Sequence, residues 1–235
     1  MKKKNKGNLF VETNKLYDSC KSFSLLSSLI MWVSIALLLL FPLFGFGLAF
    51  FAMCFLCVGF KKNLIDCLQN KSTKIESIFN YYKNCISAFC LKVSSMALTM
   101  LWSLLLIVPG IVVGLNYSFA SYIFAENSNI GTINCLNKSK EMVYGYRNEI
   151  FLIYLIETLF LSMSALFFSS LIILLNFLIV IPTWANIIIV FACTLFVFLI
   201  FAFPYFEIML ANVYLKAKDN LLKNEKKTSK SVSKD

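Results

Sequence analysis

Residues 85–127 read CISAFCLKVSSMALTMLWSLLLIVPGIVVGLNYSFASYIFAEN. Two apolar runs, 85–108 and 111–125, meet at Pro109-Gly110 with no charge at the junction. A run of roughly 20 apolar residues crosses ~30 Å of hydrocarbon as a helix. Proline lacks an N–H, so it ends one helix and fits the first turn of the next. The stretch therefore predicts a helical hairpin in lipid. The pattern recurs on both sides. Pro42, in LLLLFPLFGFG, joins runs 23–41 and 43–60, the second ending at Lys61-Lys62. Pro182, in FLIVIPTWANI, joins run 149–181 to one from about Ile187 to Leu215. The 149–181 run is long for one untilted span, so it either tilts or breaks past Ser169-Ser170.

Composition supports lipid as the solvent. Of 235 residues, 59% are apolar and 14% charged, with mean hydropathy +0.77. Soluble domains sit near 45–50% and about 25%, so an ordinary soluble domain is excluded. A disordered basic chain is poor in large apolar residues; this one has 24 Phe. Charge placement tests the span count independently. Of 22 Lys and Arg, 21 fall in segments 1–22, 61–84, 126–148 and 216–235, and the exception is Lys92. The turns at 41–43, 108–110 and 182–186 carry no charge. With six helices every neutral turn lies on one side, and the positive-inside rule puts both termini in the cytoplasm.

The expected fold is thus all-α. It has six transmembrane helices in three Pro-tipped hairpins, with both termini inside. Domain organisation follows as a basic segment 1–22, a membrane domain 23–215 and a Lys-rich disordered tail 216–235. The first span, 19 residues with no A-x-A-like site, reads as an uncleaved helix rather than a signal peptide. Lys outnumbers Arg 21 to 1, as in AT-rich genomes, which points to a bacterial cytoplasmic membrane. Polar segments near 9–21, 75–84 and 133–147 precede the hairpins and are candidates for interfacial helices. In the last, Ile133, Leu136, Lys140, Val143 and Tyr144 give a mixed face. Two readings of the hairpins stand: a threefold repeat, as in transporter folds, or independent recruitment of proline by short turns.

Helices in lipid associate through small residues and hydrogen bonds. Gly110, Gly114, Ser118 and Ser121/Ala125 form one such stripe. Lys92, Ser95, Thr99 and Ser103 form a second, and Tyr154, Thr158, Ser162, Ala165, Ser169 and Asn176 a third. These faces are expected to point into the bundle, either as packing alone or as a polar pathway.

Three ionisable residues lie within spans: Lys92, Glu157 and Glu207. Counted from the basic ends at 1.5 Å per residue, all three lie ~10–14 Å deep. A charge at the bilayer centre costs at least ~2.5–3.5 kcal/mol. One expectation is a mutual cluster of Lys92, Glu157 and Glu207 in a cytoplasm-facing pocket, in which Lys92→Met destabilises the bundle. The other is that each side chain snorkels separately. Glu126 reads as an interfacial helix-end carboxylate.

No further chemistry is legible. Histidine is absent, and Cys54-x-x-Cys57 lies inside a span rather than in the polar loops that zinc or redox motifs need. No catalytic residue, metal site or cofactor is expected. The basic ends attract anionic lipid of the inner leaflet at ≈1 kcal/mol per Lys. Nucleic acid is not expected, because no aromatic-basic platform lies outside the spans.

The stretches LLLIVPGIVVGLNYSFASYIFAEN and CLNKSKEMVYGYRNEIFLIYLI, with a late Pro204-Tyr205 and Tyr214, carry a resemblance. The chain resembles a bacterial family of six-helix integral membrane proteins of unknown function. That family is related to the membrane domain of some glycerophosphodiester phosphodiesterases. The matching positions are Pro109, Gly110, Ile111, Tyr117, Glu126, Ser139, Met142 and Gly145, then Pro204 and Tyr205. Glu126 stands where the family pattern has Asp, and Cys135 where it has Ala. The resemblance implies fold and topology. It transfers no activity, because the phosphodiesterase domain is not in this sequence.

The expected function is non-enzymatic, through protein or lipid interaction in an envelope, immunity or assembly role. The partners would be anionic lipid, a protein, or a second copy of the chain. The alternative is a transporter or lipid-handling protein that uses the buried Lys/Glu pocket.

Overall fold

The computed structural model describes residues 9–39, 45–69, 71, 78, 84–176 and 182–232. Among them the chain is all helical, with six helices long and apolar enough to cross a membrane. In chain order these elements are α1 (Leu9–Leu39), α2 (Gly45–Leu68), α3 (Cys85–Leu105), α4 (Ile107–Asn116), α5 (Ala120–Glu126), α6 (Thr132–Val143), α7 (Arg147–Asn176), α8 (Thr183–Val197) and α9 (Phe203–Val232). The protein is therefore a multi-pass helical membrane protein by length and composition.

The central hairpin forms as the Pro-Gly junction requires. Helix α3 stops at Leu105, Leu106 is extended, and α4 starts at Ile107. Pro109 thus occupies the first turn of α4, where its missing N–H costs nothing. The break falls three residues before the proline, because a helix tolerates proline in its first turn but not beyond it. Gly110 is needed for closeness: a Cβ there would sit 2.6 Å from the Ser103 Cα, and one on Gly114 would touch Thr99. The small stripes of α3 and α4 are thus packed on each other. Pro182 caps α8. The turn at Pro42 and residues 177–181 lie outside the described residues, as does most of 75–84.

Three boundaries differ from expectation, each for a physical reason, and α7 takes the unbroken one of its two alternatives. Segment 9–21 is continuous with the first span in α1 instead of forming a separate interfacial helix. Helix α7 runs unbroken through Ser169-Ser170, whose hydroxyls donate to their own helix at Ala165 O and Phe167 O. The last span is broken: a π-helical turn covers Phe198–Ala202, where the Phe203 N–H bonds Phe198 O. Pro204 lacks the N–H that would reach back to residue 200, and a widened turn absorbs that loss. Finally, α9 is helical to Val232 where a disordered tail was expected. Buried Tyr214 and Ala217, then half-buried Leu221, hold its continuation against the body.

The core sits toward the basic side. More than half of the α2 span is buried, against 6% for α7 and for α8. Helices α2, α5, α6 and α9 supply most of it, including Phe60, Phe119, Tyr122, Val143, Met209 and Tyr214. Gly59 lets α2 approach the Ile78 backbone, since a Cβ would lie 2.2 Å from that carbonyl oxygen. Helix α6 buries Cys135, Leu136, Ser139, Met142 and Val143 and turns Ile133, Lys140 and Tyr144 outward. Its inner face is therefore cleaner than the mixed set read from the sequence. Cys20 of α1 and Cys67 of α2 are joined as a disulfide, with Cα atoms 6.3 Å apart.

Candidate functional site

Helix α2 carries the site because it does not end at Lys61-Lys62. It continues two more turns to Leu68, which turns Lys61 inward instead of leaving it at a helix end. The Lys61 Nζ pairs with Glu207 Oε1 of α9 at 3.5 Å, with the two side chains only 13% and 16% exposed. Tyr122 of α5 completes the group. Its hydroxyl donates to Glu207 Oε2 and lies 3.2 Å from the Glu207 carbonyl, while the Lys61 ammonium sits 4.4 Å above its ring. Glu207 thus has a cation on one oxygen and a phenol on the other. A desolvated carboxylate needs that kind of satisfaction.

A second group of the same composition lies alongside. Tyr214 of α9 donates to Glu126 Oε2 of α5 at 2.8 Å, and Lys218 of α9 pairs with the same oxygen. The two groups exchange partners between the same helices. Helix α5 gives Tyr122 to the α9 glutamate, and α9 gives Tyr214 to the α5 glutamate. The tyrosines stack on each other, 5.3 Å between centroids and 21° between planes, with Phe119 edge-on to both. Spacing makes this possible. Tyr122 and Glu126 are one helical turn apart, and Glu207, Tyr214 and Lys218 share a face at intervals of seven and four.

The residues singled out in the sequence are distributed as follows. Glu207 is at the centre of the inner group. Glu157 of α7 is half-buried and within electrostatic reach of Glu207 and Lys61. Lys92 is exposed on α3 and forms no salt bridge among the described residues, although its charge is felt by Cys54 and Cys57. The cation at Glu207 is therefore Lys61 and not Lys92. Of the motif positions, Ser139 donates to Asn116 O at 2.6 Å; outside the motif, Arg147 Nε donates to Asn116 Oδ1 at 3.1 Å. Tyr117 lies under Lys140, and Tyr205 donates to Asn14 Oδ1 at 2.8 Å. A Cβ on Gly145 would meet nothing within 4 Å. The small stripe of α7 is packed inward only in part: Thr158 and Ser162 are exposed, with hydroxyls turned to their own backbone, whereas Ala165, Ser169 and Asn176 are half-buried and face α8.

Three cavities adjoin these elements. One of about 430 Å³ lies on the basic side, and its lining includes Lys62, Lys71, Glu126, Lys138, Tyr214 and Lys218. An apolar one of about 410 Å³ separates α4 from α7 near Tyr154. Another, of about 470 Å³, lies in the α7–α8 hairpin. Neither Glu207 nor Glu157 lines any of the three.

The chain matches no family model, no curated protein and no solved structure. The site's meaning rests on its own chemistry. Lys61, Tyr122 and Lys218 are the residues that sequence reasoning missed, and Tyr214 entered it only through the resemblance. The usable signal was the helical spacing of Tyr and Glu on 122–126 and 207–218. Lys61 was hidden because a Lys-Lys pair after an apolar run reads as a helix end at the interface.

Proposed function

We propose that this is a non-enzymatic integral membrane protein that acts by interaction at its basic face, with lipid or protein as partner. One observation carries the reading. Glu207 is closed off by Lys61 and Tyr122 and lines none of the three cavities described above. A transport pathway would be expected to keep such a carboxylate wet and alternately accessible. Here the polar atoms are spent on holding α2, α5 and α9 together. The surface they shape is the lysine-lined cavity beside Glu126.

We place the basic face in the cytoplasm, on the positive-inside pattern, and the protein in a bacterial cytoplasmic membrane. Membership of the six-helix family stays a proposal on Pro109, Gly110, Tyr117, Glu126, Ser139 and Gly145. The Cys20–Cys67 disulfide lies on the basic side, and because a cytosol keeps thiols reduced, the cytoplasmic placement expects this pair to be reduced in cells. Leu222→Cys, at an exposed position of an otherwise cysteine-free variant, is expected to label in intact cells with a membrane-permeant maleimide and not with an impermeant one. Labelling by the impermeant reagent would reverse the topology.

The functional test is reconstitution alongside recovery from native membranes. The reading expects a stoichiometric protein partner or enriched anionic lipid, and no solute flux in proteoliposomes. Flux abolished by Glu157→Gln or Glu207→Gln would overturn it in favour of the transporter.

A further inference from the structure

We infer that the cavity on the basic side, between α2, α5, α6 and α9, is a binding site for a phosphate group. The inference rests on the interaction reading above and names the ligand of the basic face. Four ammonium groups line the space: Lys62, Lys71, Lys138 and Lys218. One carboxylate, Glu126, faces them and is engaged by Lys218 and Tyr214. Asp66 lies behind Lys62 and Lys71, at 3.3 Å and 3.8 Å. Two positive charges are left over, on a cavity of about 430 Å³, a size typical of small-ligand sites. A phosphate mono- or diester carries one to two negative charges and several strong acceptor oxygens, so it matches that excess where a neutral ligand does not.

The floor is built rather than improvised. Ile123, Met142 and Tyr214 are buried to within 3% exposure, and each belongs to a helix of the core. Glu126 acts as a strut that holds the Lys218 ammonium at the rim. Ile130, Leu221 and Leu222 give the rim an apolar side, which suits a phosphate attached to a glycerolipid as readily as a free one. The shared chemistry is the phosphate, and its source is a matter for experiment.

The test uses the purified full chain in mild detergent, titrated with dioleoyl phosphatidic acid, with the matching diacylglycerol, and with inorganic phosphate, and read by native mass spectrometry. Phosphatidic acid is expected to bind and diacylglycerol is not. Lys71→Ala combined with Lys138→Ala, two exposed positions, should weaken binding on the order of tenfold. Lys140→Ala, two residues along α6 and over Tyr117 instead, should leave it unchanged. A matching melting temperature shows that the double variant is folded. Inorganic phosphate that competes with the same lysine dependence supports the site and assigns it a soluble ligand. Phosphatidic acid binding equally to wild type and double variant would overturn this cavity and leave the lipid-interaction reading intact. Equal retention of phosphatidic acid and diacylglycerol, with no response to phosphate, would overturn the cavity and that lipid reading together.

Discussion

Two Lys–Glu–Tyr groups stand side by side between α5 and α9, built from the same residue types and differing in depth. The inner one, Lys61–Glu207–Tyr122, has side chains about 15% exposed at the ion pair. In the outer one, Lys218 is 36% exposed and lines an open cavity. Depth decides what each can do. In the inner group both charges are largely withdrawn from water, so each depends on its partner and the group works as a clasp. In the outer group the lysine is partly solvated while Glu126 holds it at the cavity rim, so the same atoms can face a ligand. The stacked tyrosines join the two, which makes the clasp a support for the cavity.

The comparison is most sharply broken at the ion pairs. Removing one partner of a buried pair costs about 3–5 kcal/mol, because the other charge is stranded. Glu207→Gln is expected to fall in that range by detergent melting, and Lys61→Met with Glu207→Leu to recover much of it. If the double variant is as unstable as the sum of the singles, the two groups do not act as a pair. Next come the phenols. A hydrogen bond to a charged acceptor contributes about 1.5–3 kcal/mol. Tyr122→Phe should therefore cost more than Tyr214→Phe, since water can replace the hydroxyl at Glu126. Equal losses would erase the difference between the groups. Lys218→Met is the smallest, at about 0–1 kcal/mol. That loss should shrink further in 1 M salt, where the screening length is about 3 Å.

Much of the fold is legible in the amino-acid sequence, for reasons visible in particular residues. Six apolar runs and the one-sided lysines define the spans. Pro109 with Gly110 marks a hairpin because proline's missing N–H and glycine's missing Cβ act locally. What failed were calculations of depth that treat each helix alone. Lys61 looked like an interfacial anchor, since hydropathy cannot tell that α2 runs on to Leu68 with that side chain turned toward Glu207. Lys92 looked buried because its neighbours are apolar, yet its side chain is exposed and forms no salt bridge among the described residues. Pro204 signalled a disturbance, but its resolution as a π-helical turn depends on how α9 packs. Of the candidate site, the glutamates were legible as costly charges in lipid. Their partners come from helices distant in sequence, and the helical spacing of Tyr with Glu on 122–126 and 207–218 is the one local trace of them.

Lys61, and not Lys92, is the intramembrane lysine on which the fold depends, and melting Lys61→Met and Lys92→Met side by side in the same detergent separates the two. Lys61→Met is expected to lose about 3 kcal/mol or more, and Lys92→Met to change by no more than about 0.5 kcal/mol. Equal losses, or a larger loss for Lys92→Met, would contradict it.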